Sequence, residues 1–373
     1  MLPPSGQGKS TYLDGRKRSP KDTEEYKSFD AESQGKSSLH DSPDVQAYST
    51  PSFADKGQID QYNTLLNILE IDSFPSNGLT PQDRQLMMHW CTSTYRSISW
   101  NSAVEPVWQT IVPREALRYP SLMHGMLAFS ALHLAFTRRA DRESYLETAQ
   151  SHHNQAIASC DSVTKSFDSP NCILLSTIMT MLSFSFSRLR LLASDVSAVG
   201  DLVQIFQHVR DSIRVPMKPD NGVESGVMAR LIPLDEHLPL PDTSQFAIQS
   251  LQRLNTVLCN RNPQHEKGVY DVTIQHLCFS FRLFMTGGDG TIGASLWISR
   301  IPSRFMDLLK ERQPLALVIL GHFIVILHSL RRQWWIGEWS TRVLDDIARV
   351  LDGEWRESIT WVMDATGCYV PTN

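Results

Sequence analysis

The fold turns on one stretch: Tyr119-Pro120-Ser121-Leu122-Met123-His124-Gly125-Met126-Leu127-Ala128-Phe129-Ser130-Ala131-Leu132-His133-Leu134-Ala135. Leu122, Met126, Phe129 and His133 recur at i, i+4, i+7 and i+11, the spacing of one face of an α-helix. Met123, Leu127 and Leu134 lie beside that face. Ala128, Ala131 and Ala135 are small enough for close packing. Pro120 and Ser121 open the helix. Gly125 weakens it but permits near approach of a neighbour.

Working upstream, Thr80 is placed as an N-cap, with Pro81 at the first helical position and Asp83 in the first turn. That helix runs through Leu86, Met87, Trp90 and Tyr95 to about Ser99. The segment from Trp108 to Pro113 is expected to be a connector. Working downstream, Tyr145, Ala149, His152, Ala156 and Cys160 repeat the helical period over 141–160. Further helices are expected at 172–192 and 196–213. Pro216, Pro219, Pro233, Pro239 and Pro241 make long regular structure over 215–245 improbable. Helices then resume at 244–258, 270–285, 296–311, 315–332, 340–351 and 354–363. No sustained two-residue alternation occurs, so the fold class is all-α: an irregular multi-helix domain. No fixed repeat marks a solenoid.

The chain has 373 residues, of which 41% are apolar, and a formal net charge of −5. That balance does not point to an obligate nucleic-acid binder, which needs a concentrated basic surface. Residues 1–57 are polar and charged, with Leu2, Leu13, Leu39 and Val45 their only aliphatic side chains beyond alanine. They cannot bury enough apolar surface to offset their ordering entropy, so a disordered tail is expected there, with the helical domain at 58–373. Leu65, Leu66, Ile68, Leu69 and Ile71 would form its first short helix. Within the tail, Arg16, Lys17 and Arg18 precede Ser19-Pro20. That is a candidate nuclear-import cluster beside a candidate phosphorylation site, although a plain solvated charge run has the same composition.

The motifs that carry chemistry fare poorly. Gly6-Gln7-Gly8-Lys9-Ser10-Thr11 has the end of a phosphate loop, but Pro3 stands where that pattern needs glycine. Cys91, Cys160, Cys172, Cys259, Cys278 and Cys368 are scattered and are expected to be reduced thiols, neither a disulfide framework nor a zinc site. His133, His152 and His153 lack any H-E-x-x-H spacing, and no metal or cofactor is expected. Asp235-Glu236-His237 is expected to be loop. Gly287-Gly288-Asp289-Gly290 ends one helix, and Asp289 or Thr291 caps the next. An anion nest is the alternative there. Trp334, Trp335 and Trp339 follow Arg331 and Arg332. Sealing of a helix end against the core is preferred over base stacking. Apolar runs at 172–186 and 315–330 are shorter than a spanning helix, and no signal peptide or membrane span is expected.

Taken together, these segments resemble the regulatory domain of fungal zinc-cluster transcription factors. The flavour is that of the yeast sterol uptake control regulators. The resemblance rests on the segment from Trp108 through Ala135, Leu86-Met87-Met88-His89-Trp90, and the Tyr145–Ala156 periodicity. It also rests on Pro314 to Phe323, Trp334-Trp335 with Trp339, Trp355 and Trp361. It covers about 80–366. It implies a non-enzymatic regulator of transcription, possessing no catalytic residues, in the nucleus and shuttling with the cytoplasm. In sterol-responsive members, the resemblance further implies, the domain binds a hydrophobic small molecule. The family's DNA-binding module has six closely spaced cysteines, and the first 90 residues here contain none. Direct DNA binding through a zinc cluster is therefore not expected of this chain. Either its coding sequence extends upstream, or it works through other transcription regulators or a homodimer. Two rivals remain: an interaction protein that dimerises with and dampens an intact zinc-cluster factor, and an auxiliary or enzymatic protein of fungal secondary metabolism. Candidate ligand-lining residues are Met126, Phe129, Met179, Phe184, His322 and Phe323, although ordinary core positions have the same character.

Overall fold

The computed structural model describes residues 79–99, 104–160, 170–190, 197–212, 240–285 and 288–368. The 1–57 tail with Arg16, Lys17 and Arg18, the domain start at residue 58, and the first short helix lie outside the described residues. So do Asp235-Glu236-His237 and most of the proline-rich stretch. Every regular element among the described residues is helical.

Helix α1 (Pro81–His89) starts as its sequence dictates. Thr80 Oγ1 accepts from the Asp83 amide at 3.1 Å, and Asp83 Oδ2 accepts from the Thr80 amide at 2.8 Å. This reciprocal box satisfies two amides that a helix start otherwise leaves unpaired. The helix continues into a π-helical turn (Trp90–Thr94) and α2 (Tyr95–Ile98). A second π-helical turn (Val107–Ile111) leads into α3 (Val112–Ala116). The expected connector at 108–113 is thus helical. Pro113 sits within this run and has no N–H to give to the preceding turn. The wider π turns carry Trp90 and Trp108 into the core, and Trp90 Nε1 donates to the Trp108 carbonyl at 2.7 Å.

Helix α4 (Pro120–Thr137) is buried from Ser121 through Ala135 except at His124, and forms the centre of the N-terminal half. It packs on α5 (Arg142–Ala158) and α6 (Pro170–Arg190). A Cβ at Gly125 would meet Ile178 Cγ2 of α6 at 3.1 Å, so the glycine admits a close contact there. Helix α7 (Ala198–Ser212) follows, then a hairpin of α8 (Asp242–Arg261) and α9 (Lys267–Met285). Asp289 caps α10 (Gly290–Arg300) by accepting from the Thr291 amide at 2.7 Å, as the sequence foretells. The single helix expected at 296–311 is two, because Pro302 is extended (ψ 145°) and separates α10 from α11 (Ser303–Lys310).

Helix α12 (Pro314–Ser329) is buried from Leu315 through Leu327 and forms the second centre. It ends three residues earlier than its apolar pattern suggests. Turns through Trp335 then lead to α13 (Trp339–Val350), α14 (Gly353–Glu357) and α15 (Thr360–Thr366). The helix expected at 354–363 is interrupted at Ser358. Cys172–Leu189 of α6 has the length and apolarity of a membrane span, longer than the sequence alone indicates. Yet 89% of it is buried inside the protein, as befits a core helix. Between the two centres, Trp297 stacks on Phe323 at 4.1 Å, and Phe206 meets both edge-on. Stacked and edge-to-face pairs add roughly 0.5–1.5 kcal/mol each beyond burial.

Candidate functional site

Two chains of buried polar side chains lie where α1, α4 and α5 meet. His133 Nδ1 lies 3.1 Å from Thr94 Oγ1 and 3.2 Å from His89 Nε2. Ser130 donates to the Leu86 carbonyl at 2.7 Å. Burial pushes His89 down to about 3 and His133 to about 4, so both are neutral at physiological pH. A neutral imidazole carries a single N–H, so each ring can donate from only one of its nitrogens. The rings are closed over by Trp334, which stacks on His133 at 5.2 Å and meets Phe129 and Phe136 at 5.1 and 5.3 Å. Its indole N–H reaches back to Ser97 Oγ at 3.0 Å.

A second chain runs toward the surface. Asp83 Oδ1 pairs with His152 Nε2 at 3.2 Å, and His152 Nδ1 lies 3.1 Å from His124 Nδ1. Burial lowers both histidines, with the Asp83 charge opposing it. Asp83 accepts from His152 Nε2–H, and the facing Nδ1 atoms of His152 and His124 make the next link. The groups lie in line and do not converge. Among the described residues no cluster of three His, Cys, Asp or Glu is arranged to hold a metal ion.

The six candidate ligand-lining residues are all buried. Met126 and Phe129 lie on α4, Met179 and Phe184 on α6, and His322 and Phe323 on α12. They do not share one set of neighbours. Phe129 faces Trp90 and Trp334. Phe323 belongs to the Trp297 stack. His322 stacks on Trp361 at 5.5 Å and donates from Nδ1 to the Val318 carbonyl at 2.9 Å, with burial pushing it down to about 4. Phe184 meets Trp335 and Trp339 edge-on, each at 6.1 Å. Both indole N–H groups, and the Ser183 hydroxyl next to Phe184, are buried without a hydrogen-bond partner among the described residues. Leaving such groups unpaired costs about 1–3 kcal/mol each, so this neighbourhood is suited to an oxygen acceptor brought by a ligand.

Trp334, Trp335 and Trp339 are buried against α4 and α6, partners that the sequence did not show. It also missed the two histidine chains. Asp83 at the third helical position identified the cap, while its second partner, His152, lies on α5. Trp108, in turn, lies against buried Asp289, whose carboxyl is pushed up by burial and held down by Thr291 and by that indole.

These elements carry a recognisable signature. Residues 85–225, from Gln85 of α1 to beyond the end of α7, match the fungal specific transcription factor domain. Over 105 residues the chain is 30% identical to Sterol uptake control protein 2 of Saccharomyces cerevisiae, covering 24% of this chain and 12% of that protein. The chain therefore corresponds to a small part of that relative's length.

Proposed function

We propose that this chain, which carries a fungal specific transcription factor domain, regulates transcription in the nucleus through a helical domain that binds a hydrophobic small molecule or a partner protein. The observation that supports it is the match over residues 85–225, which takes in α4 and α6, the helices at the centre of the N-terminal half. The Phe184 neighbourhood supports the ligand. Its aromatic walls favour an apolar body, and its unpaired Trp335 and Trp339 N–H groups favour one hydroxyl or carbonyl on that body. A sterol has that chemistry, in keeping with the name of the yeast relative. Arg16, Lys17 and Arg18 would direct nuclear import.

The test joins the full chain to a heterologous DNA-binding module and reads a reporter gene with and without added sterol. Sterol-dependent reporter output, lost in Phe184→Trp, is expected. An output equal to that of the DNA-binding module alone, under every condition, would sink the regulatory assignment. Replacing Arg16, Lys17 and Arg18 with alanine in a fluorescent fusion is expected to reduce nuclear accumulation.

A further inference from the structure

In the C-terminal half of the chain, α9 and α10 hold a cation of a different kind. Arg300 is partly buried, and its guanidinium carbon lies 5.0 Å over the Phe279 ring. Its Nε is fully buried without a hydrogen-bond partner, and no carboxylate among the described residues reaches it. Two arginines near the end of α10 have oxygen partners. Arg304 pairs with Glu266 and Glu311 at 2.8 and 2.7 Å. Arg210 takes the carbonyls of Ile298 and Ile301 at 3.2 and 2.6 Å, so the end of α10 already has its cationic cap. Arg300 is therefore not needed there. A partly buried cation held against an aromatic ring without a counter-charge costs stability, unless an anion joins it.

The surroundings say which anion. Val272, His276 and Phe279 stand at i, i+4 and i+7 of α9, one face of the helix. Val272 is 40% exposed, an apolar side chain at the rim. His276 is close enough to Arg300 to feel its charge. One positive charge, beside a neutral imidazole and two apolar side chains, matches a single negative charge carried on hydrocarbon. A doubly charged phosphate would bring more charge than the site can balance and would lose more hydration. A guanidinium also presents paired N–H groups to the two oxygens of a carboxylate.

We propose that Arg300, His276, Phe279 and Val272 form a binding site for the carboxylate of a small hydrophobic acid. The site is separate from the Phe184 neighbourhood, and its test does not depend on transcription. Sodium octanoate, octanol, acetate and inorganic phosphate are titrated into the full chain by calorimetry. Octanoate is expected to bind at least tenfold more tightly than acetate or phosphate, and octanol not measurably. Arg300→Gln should weaken octanoate at least tenfold, and Arg300→Lys several-fold, since it keeps the charge and loses the fork. Circular dichroism checks that both variants fold. The imidazole proton signal of His276, identified by its loss in His276→Gln, should titrate at higher pH with octanoate bound. Phosphate binding as tight as octanoate, or octanoate binding indifferent to both Arg300 variants with His276 unmoved, overturns the proposal.

Discussion

Trp334 bonds to a hydroxyl 237 residues away, and most of what it does depends on that distance. Its indole covers His133, Phe129 and Phe136 and joins the C-terminal turns to α2 and α4. Trp334→Ala is expected to cost about 3–5 kcal/mol, the range for truncating a large buried aromatic, read as a lower urea midpoint. Buried histidines set a second residue-scale expectation. His322, held down to about 4, stays neutral in the folded chain while the unfolded chain takes up a proton below about pH 6.5. A depressed histidine thus contributes stability that is fully present above the unfolded value and is lost as pH falls toward 4. His322→Phe keeps the stack on Trp361. It should flatten the pH dependence of stability between pH 6 and 5 by up to about 1.4 kcal/mol per pH unit, one proton's worth. Parallel wild-type and variant curves across that window would refute the assignment.

At the scale of elements, two devices fix where helices start and how segments return. The Thr80–Asp83 box starts α1, and Asp83 also holds His152 on α5. Thr80→Ala should cost about 1 kcal/mol, as for other lost N-caps. Asp83→Ala should cost more, because His152 loses its partner too; chemical denaturation of the two variants side by side measures the order. Gly337 has φ +60°, and a Cβ there would meet the Arg188 guanidinium at 2.8 Å. That guanidinium holds the carbonyls of Gln333 and Trp334. Gly337→Ala is therefore expected to destabilise by at least about 1–2 kcal/mol, from the left-handed backbone alone.

Across the whole molecule, the matched segment packs against the C-terminal helices. Helix α6 packs on α10, and α7 packs on α10, α11 and α13, so the apolar faces of the matched region are covered from residues 290–350. A fragment of residues 79–225 is expected to melt without a cooperative transition, where the full chain shows one. A sharp thermal transition in the fragment would show that the C-terminal half is dispensable for folding.

The helices were legible because their causes are local. The period of Leu122, Met126, Phe129 and His133, the Thr80 cap and the Asp289 cap each act within a few residues, and each lies where it was expected. Helix ends were less legible. Pro113 lies within a continuous helical run and Pro302 separates two helices, and the same residue type does either according to the conformation of its neighbours. The site was least legible. Nothing in the spacing of Ser97, His133 and Trp334 shows that they touch, nor that Arg210 caps α10 and leaves Arg300 free of that role. By itself, the sequence determined an all-helical chain and its family resemblance, because backbone hydrogen bonds and side-chain periodicity are short-range. Only the tertiary structure decided which polar groups are paired, because pairing depends on which distant surfaces burial brings together.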